Sequence, residues 1–211
     1  MDVILIAARK QEIAKLLKLL EESELEPELI DVDAIAFTNS FLFSMKDAAG
    51  KVYALIDFGL RDANINILDH GALRFSRDIT FGGHDIVQFL KRKLQVSDED
   101  AQAIQMGKTV GDNKNSAEVL RQSYAFLIQE IKTSLNYFYG QHPDIEKPAA
   151  ICASGGLVKI DSLQKAIEQE TKIPVLNWDP TETLMIGPET RKTNLMENKQ
   201  YLHVCLGLAL R

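Results

Sequence analysis

The 211-residue sequence has few cysteines, no long apolar run and no excess of basic residues. Its two cysteines, Cys152 and Cys205, lie inside apolar segments, which predicts buried free thiols in a reducing compartment. No apolar run approaches the roughly 20 residues of a membrane-spanning helix. The N-terminal residues also lack the basic segment and the long apolar core of a signal peptide. The sequence therefore predicts a cytoplasmic protein without direct membrane insertion.

Several classes of partner and chemistry have no support in the sequence. The formal net charge is -6, which argues against a nucleic-acid partner and against adsorption to an anionic membrane. The four histidines are scattered, which argues against a zinc site. There is no Walker A loop, no G-x-G-x-x-G and no Gly-x-Ser-x-Gly. These absences exclude the familiar P-loop, dinucleotide and serine-hydrolase signatures.

Roughly the first 45 residues have the pattern of a β-α-β-α unit. The continuous apolar run at 3–7 predicts a central strand, because both faces of such a strand are covered. Apolar residues at helical spacing predict helices at about 9–22 and 33–45. A short strand is predicted between them, from Glu28 to Val32.

From residue 52 onward the pattern predicts a ribonuclease-H-like α/β domain with a mixed sheet. Three strands come first, and Asp69-His70-Gly71 predicts a hairpin between the second and third. Ser97 and Asp100 predict a capped helix start. The predicted elements are strands at 52–57, 64–68, 72–77, 149–153 and 174–176, helices at 84–94, 116–140, 160–171 and 199–210, a short helix after residue 97, and a polar loop at 107–114.

Asp57-Phe58-Gly59 is the first segment that could carry chemistry. Asp57 ends a predicted strand, where a carboxylate could hold a metal ion or orient a water molecule. Gly59 would let main-chain N–H groups approach a phosphate. Asn64 opens the following strand and is a further candidate ligand. A plain hairpin turn needs the same Asp and Gly, so the pattern leaves both interpretations open.

Three further segments are candidates, and each has a structural alternative. Ser154-Gly155-Gly156 and Gly82-Gly83 each stand just before a helix, where glycines permit close approach of a ligand to the backbone. A tight turn would explain both pairs equally. Glu130 and Ser134 lie four residues apart on one helix face and could hydrogen-bond a ligand, or could face solvent.

The combination of segments is more specific than any one of them. The sequence contains, in this order, ALIDFGLRDANINIL, GALRFSRDITFGGHDI, EIKTSLNYF, ICASGGLVKIDSL and HVCLGLALR. This ordered set resembles the PilM family of actin-like type IV pilus assembly proteins and, more distantly, the FtsA family. The resemblance covers nearly the whole chain and implies an actin-like fold.

The resemblance also implies a cofactor, ATP with Mg²⁺. It assigns Asp57 and Gly59 to a phosphate loop, with Asp57 toward the metal, and Ser154 to Gly156 to an adenosine loop. Glu130 and Ser134 fall where family helices line the base and ribose. Ala63 and Val87 stand where hydroxyl residues are common in the family, which weighs against hydrolysis more than against binding.

By the same resemblance, residues 1–32 are part of a small inserted subdomain, 33–50 a connecting helix, and 51–211 the second actin-like subdomain. The first subdomain of the family carries its own phosphate loop, which has no counterpart here. We therefore expect a truncated or naturally shortened relative with half of the nucleotide cleft.

The family's partner is the cytoplasmic N-terminal peptide of PilN, a single-span inner-membrane protein. The resemblance thus implies an adaptor within the pilus assembly platform, with other platform proteins as partners, and a role in twitching motility. Because the peptide groove uses the first subdomain, we expect peptide binding to be weakened or lost here. Two alternatives stay open: an active ATPase or kinase of the same superfold, and an FtsA-like protein that forms polymers or other homo-oligomers.

Overall fold

Five strands form one mixed sheet in the computed structural model, which describes residues 4–110, 115–187 and 195–210. The order across the sheet is β3-β2-β1-β4-β5. The first three strands are antiparallel neighbours, whereas β4 and β5 run parallel to β1. The predicted mixed sheet is therefore confirmed. The strands are β1 (Val52–Phe58), β2 (Ala63–Asp69), β3 (Ala72–Ile79), β4 (Ala150–Gly155) and β5 (Val175–Asn177).

Helices flank the sheet and occupy most of the positions that apolar spacing predicts. They are α1 (Lys10–Glu22), α2 (Asp33–Ser44), α3 (Gly83–Leu94), α4 (Asp98–Gln105), α5 (Ser116–Ser123), α6 (Ala125–Gln141), α7 (Asp161–Thr171), α8 (Leu195–Asn198) and α9 (His203–Ala209). The cap of α4 is confirmed, because the Asp100 backbone N–H donates to Ser97 Oγ at 3.1 Å.

Strand β1 is the centre of the core because its side chains alternate between two buried clusters. Ala54 and Ile56 pack with side chains of α3 to α7 on one face. Tyr53 and Leu55 pack with α2 and Trp178 on the other. Side chains that point to opposite faces of a strand explain this three-layer arrangement.

The N-terminal strand prediction is wrong for the residues that the structure describes. Val3 lies outside them, and residues 4–9 have no strand structure. Leu5 is 90% exposed, where a central strand would be buried. The segment from Glu28 to Val32 is not a strand either. An apolar run can only become a strand when another strand offers its backbone N–H and C=O groups, and the run itself does not show whether one does.

Helix α1 forms where its spacing predicts, but without a covering partner in the described structure. None of its side chains is buried. Its apolar stripe includes Leu16, Leu17 and Leu19, which are 40 to 60% exposed. The periodicity therefore identified the helix correctly and left open what its apolar face contacts.

Two other expectations need correction. The helix predicted over 116–140 is interrupted at Tyr124, whose φ of -107° and ψ of 7° are not helical. The Tyr124 ring is fully buried in the core, and this anchoring overrides the local helical preference. Cys205 is exposed, whereas Cys152 is buried as predicted. The predicted loop at 107–114 lies partly outside the described residues.

Candidate functional site

The two candidate loops are neighbours because β1 and β4 are adjacent parallel strands. The register pairs Asp57 with Ser154 and Phe58 with Gly155. The carboxyl ends of both strands therefore meet at one edge of the sheet. In open α/β sheets this edge is where ligands bind.

The turn after β1 is closed by its own backbone. The Gly59 N–H donates to the Asp62 carbonyl oxygen at 3.0 Å. A Cβ on Gly59 would lie 2.6 Å from the same oxygen, so this position needs glycine. The tight hairpin that the alternative interpretation required is therefore present.

The turn after β4 depends on glycine more strongly. Gly155 has a φ of +87°, which side chains of L-residues rarely adopt. A Cβ there would lie 2.3 Å from the Phe58 carbonyl oxygen and 2.6 Å from Asp57 Oδ1. Gly155 thus keeps the two turns in direct contact, with the Asp57 carboxylate beside the second turn.

The double glycine before α3 docks onto the first turn. The Gly83 N–H donates to the Gly59 carbonyl at 3.1 Å, and the His84 N–H donates to the Leu60 carbonyl at 2.8 Å. A Cβ on Gly82 would lie 2.5 Å from the Leu60 carbonyl. Gly82 therefore lets protein backbone, and not a ligand, approach closely. The N–H groups of Gly83 and His84 already have carbonyl partners within the protein.

A cavity of about 580 Å³ opens between the turns. This volume lies within the range typical of small-molecule sites. Five of the candidate residues line it, together with side chains from α3, α4, the segment after β4 and the C-terminal region. The candidates are Asp57, Gly59, Gly83, Gly155 and Gly156, and the added side chains include Gln105, Leu157, Tyr201 and His203.

The other candidates lie outside this cavity. Asn64 lines a wider groove of about 1030 Å³ on the far side of Asp57, and its Nδ2 donates to Asp78 Oδ1 at 2.8 Å. Ser154 is fully buried behind the second turn. Its Oγ lies 2.7 Å from His203 Nδ1. Ser154 can therefore shape the site without touching a ligand in the cavity.

Glu130 and Ser134 share a helix face as predicted, but their partner is Arg77 on β3. Arg77 Nη2 donates to Glu130 Oε2 at 2.6 Å, and Arg77 Nη1 donates to Ser134 Oγ at 2.9 Å. Neither residue lines the 580 Å³ cavity. The structure therefore links α6 to the sheet through these groups and does not bring them to Asp57.

Among the cavity residues that were not identified from the sequence, two lie beside the glycine turns. His203 is buried and its Nε2 lies 3.0 Å from Asp57 Oδ2. Tyr201 places its ring 3.5 Å from a Cβ built on Gly156. Both follow the last strand by more than 20 residues, so no local motif connects them to the glycine turns. Only their position near the start of the C-terminal helix could have drawn attention to them.

In the described part of the chain, Asp57 is not part of a cluster of side chains that could bind a metal ion together. Within the residues that the structure describes, no group of three or more His, Cys, Asp or Glu side chains could hold a metal ion. A Mg²⁺ ion that accompanies a nucleotide needs only one or two carboxylates, because phosphate oxygens and waters complete its shell. The geometry therefore suits a metal that arrives with its ligand better than a resident metal.

The family of the chain follows from its whole length. A family model described as Type IV pilus assembly protein PilM matches residues 1–211. The chain belongs to the PilM family. Members of this family are type IV pilus assembly proteins, in agreement with the ordered motifs of the sequence.

Solved structures confirm the actin-like fold of this PilM family chain. A PilM-PilN type IV pilus biogenesis complex matches with a TM-score of 0.82 and 22% identity, over 97% of this chain and 58% of the solved one. The ethanolamine utilization protein EutJ from Carboxydothermus hydrogenoformans matches with a TM-score of 0.64 and 12% identity, over 96% of this chain and 62% of EutJ.

MreB5 of Spiroplasma citri, solved bound to ADP, matches with a TM-score of 0.62 and 14% identity, over 96% of this chain and 65% of MreB5. This PilM family chain therefore spans about three fifths of each of these three solved proteins. Among its described helices, none has the length and apolar character to cross a membrane.

Proposed function

We propose that the protein is a cytoplasmic actin-like adaptor of the type IV pilus platform that binds ATP with Mg²⁺ between its two glycine turns. The observation that carries this proposal is the pairing of Asp57 with Ser154, which puts both turns on one 580 Å³ cavity. The proposal places phosphates beside Asp57 and Gly59, and adenosine beside Gly155 and Gly156.

The residues present fit such a ligand. The Asp57 side chain is 27% exposed, so its carboxylate can reach a metal ion in the cavity. Glycine at 155 and 156 leaves the backbone of the second turn uncovered by side chains. When bound, the Mg²⁺ ion would neutralise phosphate charge, and Asp57 would supply the protein's carboxylate ligand. MreB5, which was solved with ADP, shares this fold.

Isothermal titration of the chain with ATP, with Mg²⁺ and with EDTA, tests the nucleotide part. We expect Asp57→Asn to weaken binding in the presence of Mg²⁺ by about tenfold or more, the usual effect of losing a group that orients or binds a metal. In EDTA the two proteins should bind equally. Asp62→Asn, the same change of charge on an exposed neighbour, is the matched control.

Two results would overturn the nucleotide part. One is an unmodified chain that binds no ATP at millimolar concentration. The other is an Asp57→Asn variant that retains full Mg²⁺-dependent affinity. Steady phosphate release that Asp57→Asn abolishes would instead favour an ATPase, which the alternative interpretation of the sequence includes.

The partner in this proposal is the cytoplasmic N-terminal segment of PilN. Support comes from the family and from the similarity to a chain solved as a PilM-PilN complex. A labelled PilN peptide is titrated in parallel into this chain and into that PilM relative. We expect weaker binding here, since the chain spans 58% of the relative. Equal affinity would contradict the expectation that the groove needs the remaining part.

A further inference from the structure

His203 connects the two turns of the cavity. It begins α9, and its side chain is only 4% exposed. Its Nε2 lies 3.0 Å from Asp57 Oδ2, and its Nδ1 lies 2.7 Å from Ser154 Oγ. Asp57 and Ser154 end neighbouring strands, so one imidazole bridges both strand ends.

The positions of the protons follow from the partners of the ring. A neutral imidazole carries one N–H, and a carboxylate can only accept. A proton on Nδ1 alone would leave the Nε2 lone pair facing Asp57 Oδ2 at 3.0 Å, which is repulsive. A proton on Nε2 makes the contact with the carboxylate attractive. On the other side of the ring, Nδ1 lies 2.7 Å from Ser154 Oγ and 3.1 Å from the Gln200 carbonyl oxygen, to which the Ser154 hydroxyl donates at 2.9 Å. The geometry therefore favours a proton on Nε2.

The contact between Nε2 and Asp57 is close but not a linear hydrogen bond. Nε2 is buried and has no well-directed hydrogen-bond partner, although the 3.0 Å distance is that of an ion pair. Electrostatic attraction to a carboxylate depends mainly on distance, so a separation of 3.0 Å is short enough to hold the ring and the carboxylate together. His203 also lines the 580 Å³ cavity.

The imidazole is itself held in place by aromatic packing. The Phe37 ring lies edge-on at 4.7 Å between centroids, and the Trp178 ring lies at 6.4 Å. Asp57 Oδ1 is confined from the other side, where a Cβ on Gly155 would come within 2.6 Å. Oδ2 of Asp57 thus faces the imidazole of His203, and Oδ1 faces the tight turn at Gly155.

We propose that His203 is a positioning residue of the nucleotide site: its imidazole holds the Asp57 carboxylate at the cavity and fixes it to Ser154 on the adjacent strand. This inference rests on the proposed nucleotide binding of the cavity. His203 acts through Asp57, so removal of the imidazole should matter only while Asp57 retains its carboxylate.

A double-mutant cycle on Mg²⁺-ATP affinity tests this dependence. His203→Phe keeps an aromatic ring against Phe37 and removes both nitrogens. We expect it to weaken affinity by about tenfold, and by less than about twofold in a chain that also carries Asp57→Asn. Cys205→Ser, an exposed change on the same helix, should leave affinity unchanged. Equal losses in both backgrounds would overturn the positioning role.

A second measurement needs no nucleotide. Long-range ¹H–¹⁵N spectra of the histidine ring report which nitrogen carries the proton. We expect Nε2 of the His203 ring to carry a proton, and Asp57→Asn to shift the nitrogen signals of the ring, whereas His142 should not respond. A ring protonated on Nδ1 only, whose nitrogen signals do not change in Asp57→Asn, would overturn the inference. Failure of the unmodified chain to bind ATP would instead overturn the proposed function, so the two failures are distinguishable.

Discussion

Gly207 on α9 lies directly against the backbone of Ala36 on α2. A Cβ on Gly207 would fall 1.7 Å from the Ala36 carbonyl oxygen and 2.9 Å from its Cα. No side chain other than hydrogen fits between the helices at this point. Because of this contact, the start of α9, including His203, lies in the same layer of the fold as α2.

Gly207→Ala should therefore destabilise the fold, against the usual trend. Within a helix, Gly→Ala normally stabilises by about 1 kcal/mol. Here the new methyl group must push α9 away from α2, and overpacking of this kind costs about 2 kcal/mol or more. Urea unfolding of the two proteins measures the difference.

Gly140 provides the matched control for this prediction. It lies in α6, and a Cβ there would meet no atom within 4 Å. Gly140→Ala should raise the free energy of unfolding by about 0.5 to 1 kcal/mol. A stabilising Gly207→Ala would show that the two helices do not approach as closely as described.

Gly155→Ala should disrupt the second turn through two separate effects. Its φ of +87° and ψ of -172° form a conformation that essentially only glycine adopts, which strains any other residue by about 1 to 3 kcal/mol. The methyl group would also lie 2.3 Å from the Phe58 carbonyl oxygen, which adds a clash of similar size. We expect a total loss of about 3 kcal/mol and a loss of nucleotide binding by the folded fraction.

A substitution at Gly107 measures the effect of backbone strain without a steric clash. Its φ is +77°, yet a Cβ there would meet nothing within 4 Å. Gly107→Ala should thus cost only the strain, about 1 to 2 kcal/mol, with no effect on nucleotide affinity. Equal losses for the two variants would contradict the close contact between the turns.

The sequence predicts those parts of the fold that depend on neighbouring residues. The hairpin at His70-Gly71 needs positive φ at both positions, and both have it, at 50° and 82°. Apolar spacing likewise locates α1 and α2. These features need only residues that are close in the chain, so their patterns are sufficient evidence.

The predictions that were wrong or missing concern contacts between residues that are far apart in the sequence. The apolar run near Leu5 predicts a strand but contains no information about a neighbour to pair with. His203 is 146 positions beyond Asp57, and only the packing of α9 on α2 brings the two together. The contact between Arg77 and Glu130 was not predicted either. The spacing of residues in a helix shows which of them share a face, but not which residues of other elements they contact.

Glu130→Gln should leave nucleotide affinity within about twofold of the unmodified chain, because Glu130 binds Arg77 and does not line the cavity. Its effect should be on stability instead. The pair is partly exposed, with 39% for Arg77 and 23% for Glu130, so solvent screening limits the loss to about 1 kcal/mol. Titration calorimetry and urea unfolding measure the two effects.

Arg77→Ala serves as the companion variant for Glu130→Gln. If Glu130 acts only through Arg77, the double variant should lose no more stability than Arg77→Ala alone, which also removes the hydrogen bond to Ser134. A tenfold loss of ATP affinity in Glu130→Gln would restore the assignment of this residue to the base and ribose of the nucleotide.

Cys152 should make the fold less stable as the pH rises above about 9. Burial of the thiol in β4 raises its pKa from 9.0 to about 12. The folded chain therefore keeps this proton while the unfolded chain releases it, so unfolding becomes more favourable between the two pKa values. From pH 8.5 to 10 we expect a loss of about 1 kcal/mol from this group.

The pH dependence can be assigned to Cys152 by substitution, since each cysteine can be removed alone. Cys152→Ala should lower the free energy of unfolding at pH 8 because of the cavity it leaves, but should remove this part of the decline toward pH 10. Cys205→Ala, at the exposed cysteine, should keep the decline. An unchanged slope in Cys152→Ala would show that other groups cause it, whereas a flattened slope assigns it to a thiol that the sheet keeps protonated.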